Sequence, residues 1–404
     1  DGADVIITGT DDNTTFRMAT IEVNMTAQDD YYVGAGKKLS DTIKTVGDEK
    51  EIIFTNNWDI EYKGLTTEDV HDIKLDSTTD RKYKLVWYDG DGNKVDMPLA
   101  YAASSTTVQL SEDSSEKYVS FDENDYLAKN DYLVLTGGDS ASGSAKSFAL
   151  QYKGADKSSA TSPKIKFKNL GSGKTLEYSV NTGTSDTVAT VKVGGYSFDV
   201  ENTSVKTSKD FTIRIDRDAD GTIVATNMST IIGIVDYYGA NITVSSNTTG
   251  NLTRGLIYDT INLSITTDNA NDYDDQAPST LDLQIGATTT NEVTLDSLSV
   301  GGTSNPLLTP EGEENIAYGY TTMGAKITYE TPSSSPNLVT YNYPKNQKLP
   351  QVYVTSGATT TTTAAGGDLA LVQVVDATKL DSEVKSTGAQ NMVVVGGPCV
   401  NSVA

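Results

Sequence analysis

The chain has 404 residues, enough for two to four domains with sizeable hydrophobic cores. Its 31 Lys and Arg against 55 Asp and Glu give a net charge of −24, which argues against a nucleic-acid partner because phosphate binding needs clustered cations. A single histidine, His71, and a single cysteine, Cys399, exclude Cys/His zinc sites, Cys-His nucleophilic pairs and disulfides within this chain.

Alternating apolar and polar residues predict half-buried strands from the N-terminal region onwards, beginning with residues 20–26. Residues 83–88 lead into the Asp/Gly-rich stretch 89–93, which predicts a hairpin that returns from about Val95. The clearest hairpin joins residues 187–193 to 196–200 through two glycines, which supply the positive φ of a primed turn. Further strands are predicted at residues 211–215, 223–226, 242–244, 261–265 and 281–285.

The C-terminal pattern differs from the rest of the chain. Residues 369–375 form a continuous apolar strand pattern, Ala377, Leu380 and Val384 share a helical face, and residues 392–395 form a second buried-type strand. These segments predict a β-α-β unit. A parallel unit this small cannot cover its own sheet, so we expect its partners outside the given sequence or on another segment.

The predicted fold class is mainly β, with serial immunoglobulin-like β-sandwich domains and a partial α/β (β-α-β) unit at the C-terminus. Composition shifts divide the chain into a β-rich domain over residues 1–115, a β-sandwich over 116–235, an acidic β-sandwich over 236–357, a Thr/Gly linker over 358–367 and an anchor-like α/β segment over 368–404. No segment has the run of about 18 apolar residues that a membrane span needs.

The motif with the most specific chemistry is an Asp-rich loop. Asp216, Asp218 and Asp220 place carboxylates at positions 1, 3 and 5, Gly221 allows the sharp turn at position 6, and the Thr222 carbonyl occupies position 7 of a calcium-type loop. The twelfth position lacks the bidentate glutamate, and strands rather than helices flank the loop, so an EF-hand is excluded. A weaker structural Ca²⁺ site and an ordinary Asp-Gly turn both remain open.

Two other acidic segments are weaker metal candidates. Residues 89–93 repeat the alternating acids but have Lys94 where the loop needs glycine. Residues 268–275 are dense in oxygen ligands, although such runs are usually solvated loops.

Asparagine-linked glycosylation is the second site prediction. Five of the eight Asn-X-Ser/Thr sequons lie between Asn227 and Asn262, in a stretch where Asp218 to Ala325 holds one basic residue against fourteen acids. This predicts either a solvent-facing, cation-bridged surface or merely an acidic domain. The polar side of alternating strands would carry Asn24, Asn241 and Asn262. The eight acceptors are Asn13, Asn24, Asn202, Asn227, Asn241, Asn247, Asn251 and Asn262.

Enzymatic functions find little support in the sequence. A Ser-His-Asp triad would have to use His71, which lies in the polar stretch 68–72, where we expect a solvated side chain. A glycosidase normally brings more aromatic platforms than Trp58 and Trp87. We therefore predict no catalytic residues and no enzyme activity.

The C-terminal segment, residues 391–404, ends in the run Val-Gly-Gly-Pro-Cys-Val-Asn-Ser-Val-Ala, and further characteristic segments are residues 131–136, 152–157, 193–196, 212–221, 342–347 and 352–354. Through these segments the sequence resembles archaeal surface-layer (S-layer) glycoproteins over nearly the whole chain. The C-terminal run is the most specific part of the resemblance.

The resemblance implies a secreted, extracellular cell-surface protein, often N-glycosylated, whose copies assemble into a two-dimensional lattice. It also implies that the α/β region continues beyond this sequence, so that any partner of Cys399 lies outside the chain. The partners expected are further copies of the chain, N-glycans and cell-envelope components, with structural Ca²⁺ as cofactor. Two other functions stay open: a cell-surface adhesin or extracellular filament subunit that binds carbohydrate or partner cells, and a polysaccharide-active enzyme.

Overall fold

The computed structural model describes residues 4–11, 14–24, 32–43, 45–46, 49–50, 58–138, 143–224, 233–246, 254–266, 280–310 and 313–355. In chain order, its elements are β1 Asp4–Asp11, β2 Phe16–Asn24, β3 Lys37–Lys38, α1 Leu39–Thr42, β4 Thr45–Val46, β5 Glu49–Lys50, β6 Asp59–Leu65, β7 Val70–Thr79, β8 Lys82–Tyr88, β9 Lys94–Ser104, β10 Thr107–Gln109, β11 Val119–Ser120, β12 Tyr132–Gly137, β13 Lys146–Ala155, β14 Lys164–Asn169, β15 Thr175–Ser179, β16 Thr187–Val193, β17 Tyr196–Asn202, β18 Ile213–Ile215, β19 Ile234–Val235, β20 Asn241–Ser246, β21 Ile257–Tyr258, β22 Ile261–Thr266, β23 Thr280–Ala287, β24 Val293–Val300, β25 Thr303–Ser304, β26 Ile316–Tyr320, β27 Lys326–Glu330, β28 Leu338–Pro344 and β29 Pro350–Thr355.

The chain divides into two compact units. One comprises residues 1–33, 37–61 and 353–404, and the other comprises residues 34–36 and 62–352. The first contains the antiparallel hairpins β1–β2 and β4–β5 and the single-turn helix α1. The remaining sheets described below belong to the second unit.

Two sheets share the larger core of the second unit, and we call them the main sheet pair. The eight-stranded sheet has the order β21-β10-β9-β8-β7-β28-β27-β26, and the six-stranded sheet has the order β19-β20-β22-β23-β24-β25. Alternation explains the packing: in β22, Ile261, Leu263 and Ile265 are buried in this core while the residues between them face outwards.

The chain between β10 and β19 forms a second group of sheets, the inserted sheet pair. Its five-stranded sheet has the order β11-β12-β13-β14-β15, and its three-stranded sheet has the order β16-β17-β18. Strand β12 is buried on both faces: Leu133 and Leu135 enter the core of the inserted pair, whereas Tyr132 and Val134 join the core of the main pair. This double burial explains why β12 lacks polar alternation.

Both predicted hairpins are confirmed. Strands β8 and β9 pair antiparallel, and in their turn the Asp89 carboxylate accepts the N–H groups of Asp91 and Asn93 at 3.0 and 2.9 Å. Strands β16 and β17 pair through Gly194 and Gly195, whose φ angles of +60° and +90° are those of a primed turn.

Strands are also present at residues 242–244, 261–265 and 281–285, and at part of the predicted 211–215. The strand predicted over residues 223–226 is wrong at Ile223 and Val224, which belong to no strand. Their backbone instead approaches Glu123, which accepts the Val224 N–H at 3.3 Å. Residues 225 and 226 lie outside the described residues, as do the acidic stretch 268–275, the linker 358–367 and the C-terminal segment 368–404.

The described chain is mainly β, with several antiparallel sheets, as the sequence predicts. The sheets do not follow chain order. Strand β7, from the predicted domain 1–115, pairs with β28, from the predicted domain 236–357, and the two ranges therefore share one sheet. The division into domains over 1–115, 116–235 and 236–357 remains a prediction from composition, and it can be tested by whether fragments with these bounds fold alone.

Candidate metal centre

The Asp-rich loop begins where β18 ends and is anchored by its first carboxylate. Asp216 is buried, its N–H donates to the Asp199 carbonyl at 2.9 Å, and its two carboxylate oxygens accept the N–H groups of Ala219 and Gly221 at 2.9 and 3.0 Å. Ala219 and Gly221 have φ angles of +63° and +84°. The loop therefore curls around the Asp216 carboxylate, as the Gly221 position of the motif predicts.

A third carboxylate reaches this loop from a distant part of the sequence. Glu123 lies between β11 and β12, is buried, and accepts the Arg217 N–H at 2.7 Å. One carboxylate oxygen from each of Glu123, Asp216 and Asp218 lies within 4.8 Å of the other two. We call these three residues the acidic centre.

Burial raises the pKa of both buried members of the acidic centre. The pKa of Glu123 is raised chiefly by burial, and the nearby Asp216 and Asp218 carboxylates add to the shift. Burial, with a further contribution from Asp218, raises the pKa of Asp216 to about 6. A divalent cation would relieve the cost of holding these negative charges together.

The donor set fits calcium. Hard carboxylate oxygens are the ligands that Ca²⁺ prefers, and three convergent carboxylates leave room for carbonyl and water ligands. Arg217, which follows Asp216 in the sequence, is buried and directs its guanidinium to the carbonyl and hydroxyl of Ser120. Burial lowers its pKa to about 10, although nearby carboxylates, including Glu123, favour its charged form. No hydrogen bond from that guanidinium to the acidic centre is seen among the described residues.

The structure brings together two of the predicted ligands but not the whole predicted set. Asp216 and Asp218 belong to the acidic centre, whereas Asp220 is exposed and uses one carboxylate oxygen to accept the N–H and hydroxyl of Thr222, both at 2.7 Å. Thr222 is itself exposed. The sequence analysis missed Glu123, because it lies 93 residues before Asp216 and only the tertiary fold brings the two together.

Four of the eight sequons fall within the described residues. Asn241 is exposed and Asn262 is half-buried, and both lie on the outward, polar face of the six-stranded sheet. The Asn262 side-chain oxygen accepts from Gln284 Nε2 at 3.4 Å. Asn24 is exposed at the end of β2, and Asn202 is half-buried at the end of β17. Asn13, Asn227, Asn247 and Asn251 lie outside the described residues.

His71 does not lie in a solvated loop, although its polar neighbours in the sequence predict one. It belongs to β7, with only 14% of its side chain exposed, and its ring stacks between Tyr88 and Tyr238 with centroid separations of 3.9 and 3.8 Å. Its Nδ1 lies 3.7 Å from a carboxylate oxygen of the buried Asp236. The ring thus helps to join the eight-stranded sheet to the turn that precedes β20.

The two tryptophans differ in exposure. Trp87 is fully buried in the core of the main sheet pair, so it offers no platform to a ligand. Trp58 keeps 45% of its surface exposed. Cys399 lies outside the described residues.

Comparisons with known proteins identify no relative: no family model, curated protein or solved structure matches the chain. In the part of the chain that the structure describes, no helix is long and apolar enough to cross a membrane.

Proposed function

We propose that this chain is a structural surface-layer protein whose copies assemble, with Ca²⁺ and N-glycans, into a two-dimensional lattice that coats an archaeal cell. The proposal assigns it a structural rather than a catalytic role at the extracellular surface. Its sheets would be immunoglobulin-like β-sandwiches, and residues 368–404 would begin the α/β unit that the sequence pattern predicts.

The outer face of the six-stranded sheet is the observation that carries the proposal. The register aligns Asn241 with Thr266, Ser264 with Asp282 and Asn262 with Gln284 across neighbouring strands. This face is polar, includes the Asp282 carboxylate and carries two glycosylation acceptors, Asn241 and Asn262. Such a surface suits a protein that presents glycans and sheet faces to solvent and to neighbouring copies. The sequence resemblance to S-layer glycoproteins supports the same conclusion.

Electron microscopy of the purified chain tests the assembly. We expect planar arrays with two-dimensional order. Fibres with order along one axis would instead support the filament or adhesin alternative, and single particles at every concentration would contradict the lattice.

Calcium titration tests the acidic centre separately. We expect binding in the range of about 10⁻⁴ to 10⁻³ M that is typical of extracellular modules. Glu123→Gln should weaken binding at least tenfold, because it removes a ligand charge. Asp220→Asn is the matched control and should leave the affinity within about threefold. If Asp220→Asn weakened binding more than Glu123→Gln, the ligand set inferred from the sequence motif would be the better one.

A further inference from the structure

Charge is strongly segregated along the second unit. Between Lys146 and Arg214, eleven basic residues stand against six acidic ones, a net charge of +5 within a chain of net charge −24. This stretch covers β13 to β17 and the start of β18, whereas the flanking parts of the inserted sheet pair, residues 110–145 and 215–233, hold eleven acidic residues against three basic ones. The positive charge is therefore concentrated on these strands, which gives them a basic side.

The basic side has a regular strand face. In β14, Ile165 and Phe167 are fully buried, and Lys164, Lys166 and Lys168 alternate with them on the opposite side of the strand. We call these three residues the lysine face. Glu177 on β15 lies 3.4 Å from the Lys166 ammonium, and the Asp156 carboxylate accepts the backbone N–H of Lys164 at 3.1 Å. The Lys164 ammonium itself donates to a neutral partner, the Ser179 hydroxyl, at 3.0 Å.

An acidic, hydroxyl-lined cavity lies at one end of the main sheet pair. The β7–β8 turn, the β23–β24 turn and the β27–β28 turn meet there around a cavity of about 270 Å³. The cavity is lined by two acidic residues, Asp80 and Glu292, and by three serines of the β27–β28 turn, Ser333, Ser334 and Ser335. Both acids are exposed, and the Val293 N–H donates to the Asp80 carbonyl at 2.7 Å. We call this the acidic end.

The acidic end and the strand beside the lysine face contact different ends of β8. The acidic end adjoins the start of β8, whereas β13, which pairs with β14, reaches the turn after β8, where the Gly90 N–H donates to the Ser147 carbonyl at 2.9 Å. The segment before β11 also reaches the start of β8, where the Asp113 carboxylate lies 3.9 Å from the Lys82 ammonium. The seven residues of β8 span roughly 20 Å. The lysine face and the acidic end of one copy are therefore poorly placed to neutralise each other, but well placed to meet those of neighbouring copies.

We propose that copies of this chain associate head to tail, with the lysine face of one copy docked against the acidic end of the next. Lysine ammonium groups enter the cavity and pair with Asp80 and Glu292, while the serine hydroxyls offer further acceptors. This contact is heterologous, because different surfaces meet, and repeating it produces rows that remain open unless the rotation closes a ring. The inference rests on the proposed self-assembly and names one of its contacts.

Charge reversal and complementation in the full-length chain test this contact. Lys164→Glu/Lys166→Glu/Lys168→Glu and Asp80→Lys/Glu292→Lys should each raise the critical concentration for assembly about tenfold or more. Mixed in equal amounts, the two variants should assemble again, because the reversed face of one complements the reversed end of the other and the unchanged sites also match. The control, Lys157→Glu/Lys192→Glu/Lys209→Glu, makes the same charge change elsewhere in the inserted pair and should assemble like the wild type.

The outcomes separate the contact from the lattice. If the wild type forms arrays and both reversal variants, folded by circular dichroism, do so at the same concentration, the head-to-tail contact is wrong while the proposed function stands. Equal impairment by the control triple variant also overturns it, since net charge rather than the lysine face would then be responsible. If the lysine-reversal variant assembles like the wild type but no longer binds an anionic polysaccharide, a glycan and not a second copy is the occupant of the lysine face, and the head-to-tail contact is wrong. Wild-type protein that never assembles contradicts the head-to-tail contact and the proposed function together.

Discussion

Buried charge at single positions sets much of what this chain can do. Glu123 and Asp216 have raised pKa values because their carboxylates are buried near other acids, whereas Asp113, which is stabilised by hydrogen bonds from Ser115 and Lys117, has its pKa lowered to about 2. The surroundings of Glu123 and Asp216 oppose ionisation, whereas those of Asp113 favour it. A bound cation can therefore offset the cost of ionising Glu123 and Asp216, and Asp113 has no such cost to offset.

The raised pKa of Asp216 predicts a pH dependence of stability. Its folded value of about 6 lies above the ordinary 3.8, so the metal-free folded state binds more protons than the unfolded state between these values. The stabilisation of the folded state by protonation of Asp216 is fully present below pH 3.8 and is lost as the pH rises through 6. Because Ca²⁺ binds the ionised carboxylate, its stabilising effect should grow over the same interval.

Thermal unfolding of the wild type and of Asp216→Asn, both in chelator between pH 3.5 and 8, separates the contribution of Asp216 from those of the other acids. The difference in melting temperature between wild type and variant should change between pH 4 and 6 and be constant above pH 7. A difference that is constant over the whole range would show that Asp216 ionises normally.

Arg254 provides a second prediction at this scale. Its Nε donates to the buried Asp131 carboxylate at 2.7 Å, and its guanidinium lies 4.3 and 4.7 Å from the ring centroids of Tyr118 and Tyr126. Arg254→Met leaves the Asp131 charge buried and should cost about 3 kcal/mol in the free energy of unfolding. Arg214→Met removes the more exposed ion pair with Glu201 and should cost under about 1 kcal/mol in the free energy of unfolding. Urea unfolding of both variants measures the two losses. Equal losses would contradict this account of burial.

At the scale of elements, turns and alternation could be predicted because their causes are local. The glycines at 194 and 195 and the Asp89 carboxylate determine their turns through groups only a few residues apart. Strand β12 shows the limit of local reasoning: its apolar run predicts burial, but only the tertiary fold shows that its two faces enter different cores.

The Gly194-Gly195 turn yields a matched pair of substitutions. Both residues have positive φ, but a Cβ on Gly194 would overlap the ring of the buried Phe148, whereas a Cβ on Gly195 meets open space. Gly194→Ala should therefore cost about 2–3 kcal/mol in the free energy of unfolding, and Gly195→Ala about 1 kcal/mol. Urea unfolding of both variants measures the difference. A larger loss for Gly195→Ala would contradict the packing of this turn against Phe148.

At the scale of the whole molecule, long-range pairing decides the architecture. Residues 70–75 pair with residues 339–344, and Glu123 reaches a loop more than 90 residues away. Neither contact has a local signal in the sequence, so motif spacing identified Asp216 and Asp218 but not the third member of the acidic centre. The division into serial domains likewise rests on composition, which carries no signal of the pairing between β7 and β28.

Fragments test this arrangement. Residues 62–352 should fold cooperatively, because they contain both sheet pairs. Residues 1–115 should remain unfolded alone, because β7 loses its pairing with β28 and the eight-stranded sheet loses its packing against the six-stranded sheet. Amide resonance dispersion and circular dichroism distinguish the two states. A folded 1–115 fragment would instead support the division into serial domains.

The most direct test of the central claim is electron microscopy of the full chain with millimolar Ca²⁺ and again after chelation. A calcium-stiffened lattice protein should give two-dimensional arrays that lose their order when calcium is removed and regain it when calcium is restored. Monodisperse particles in both conditions would contradict the claim, and arrays indifferent to chelation would contradict the role assigned to the acidic centre.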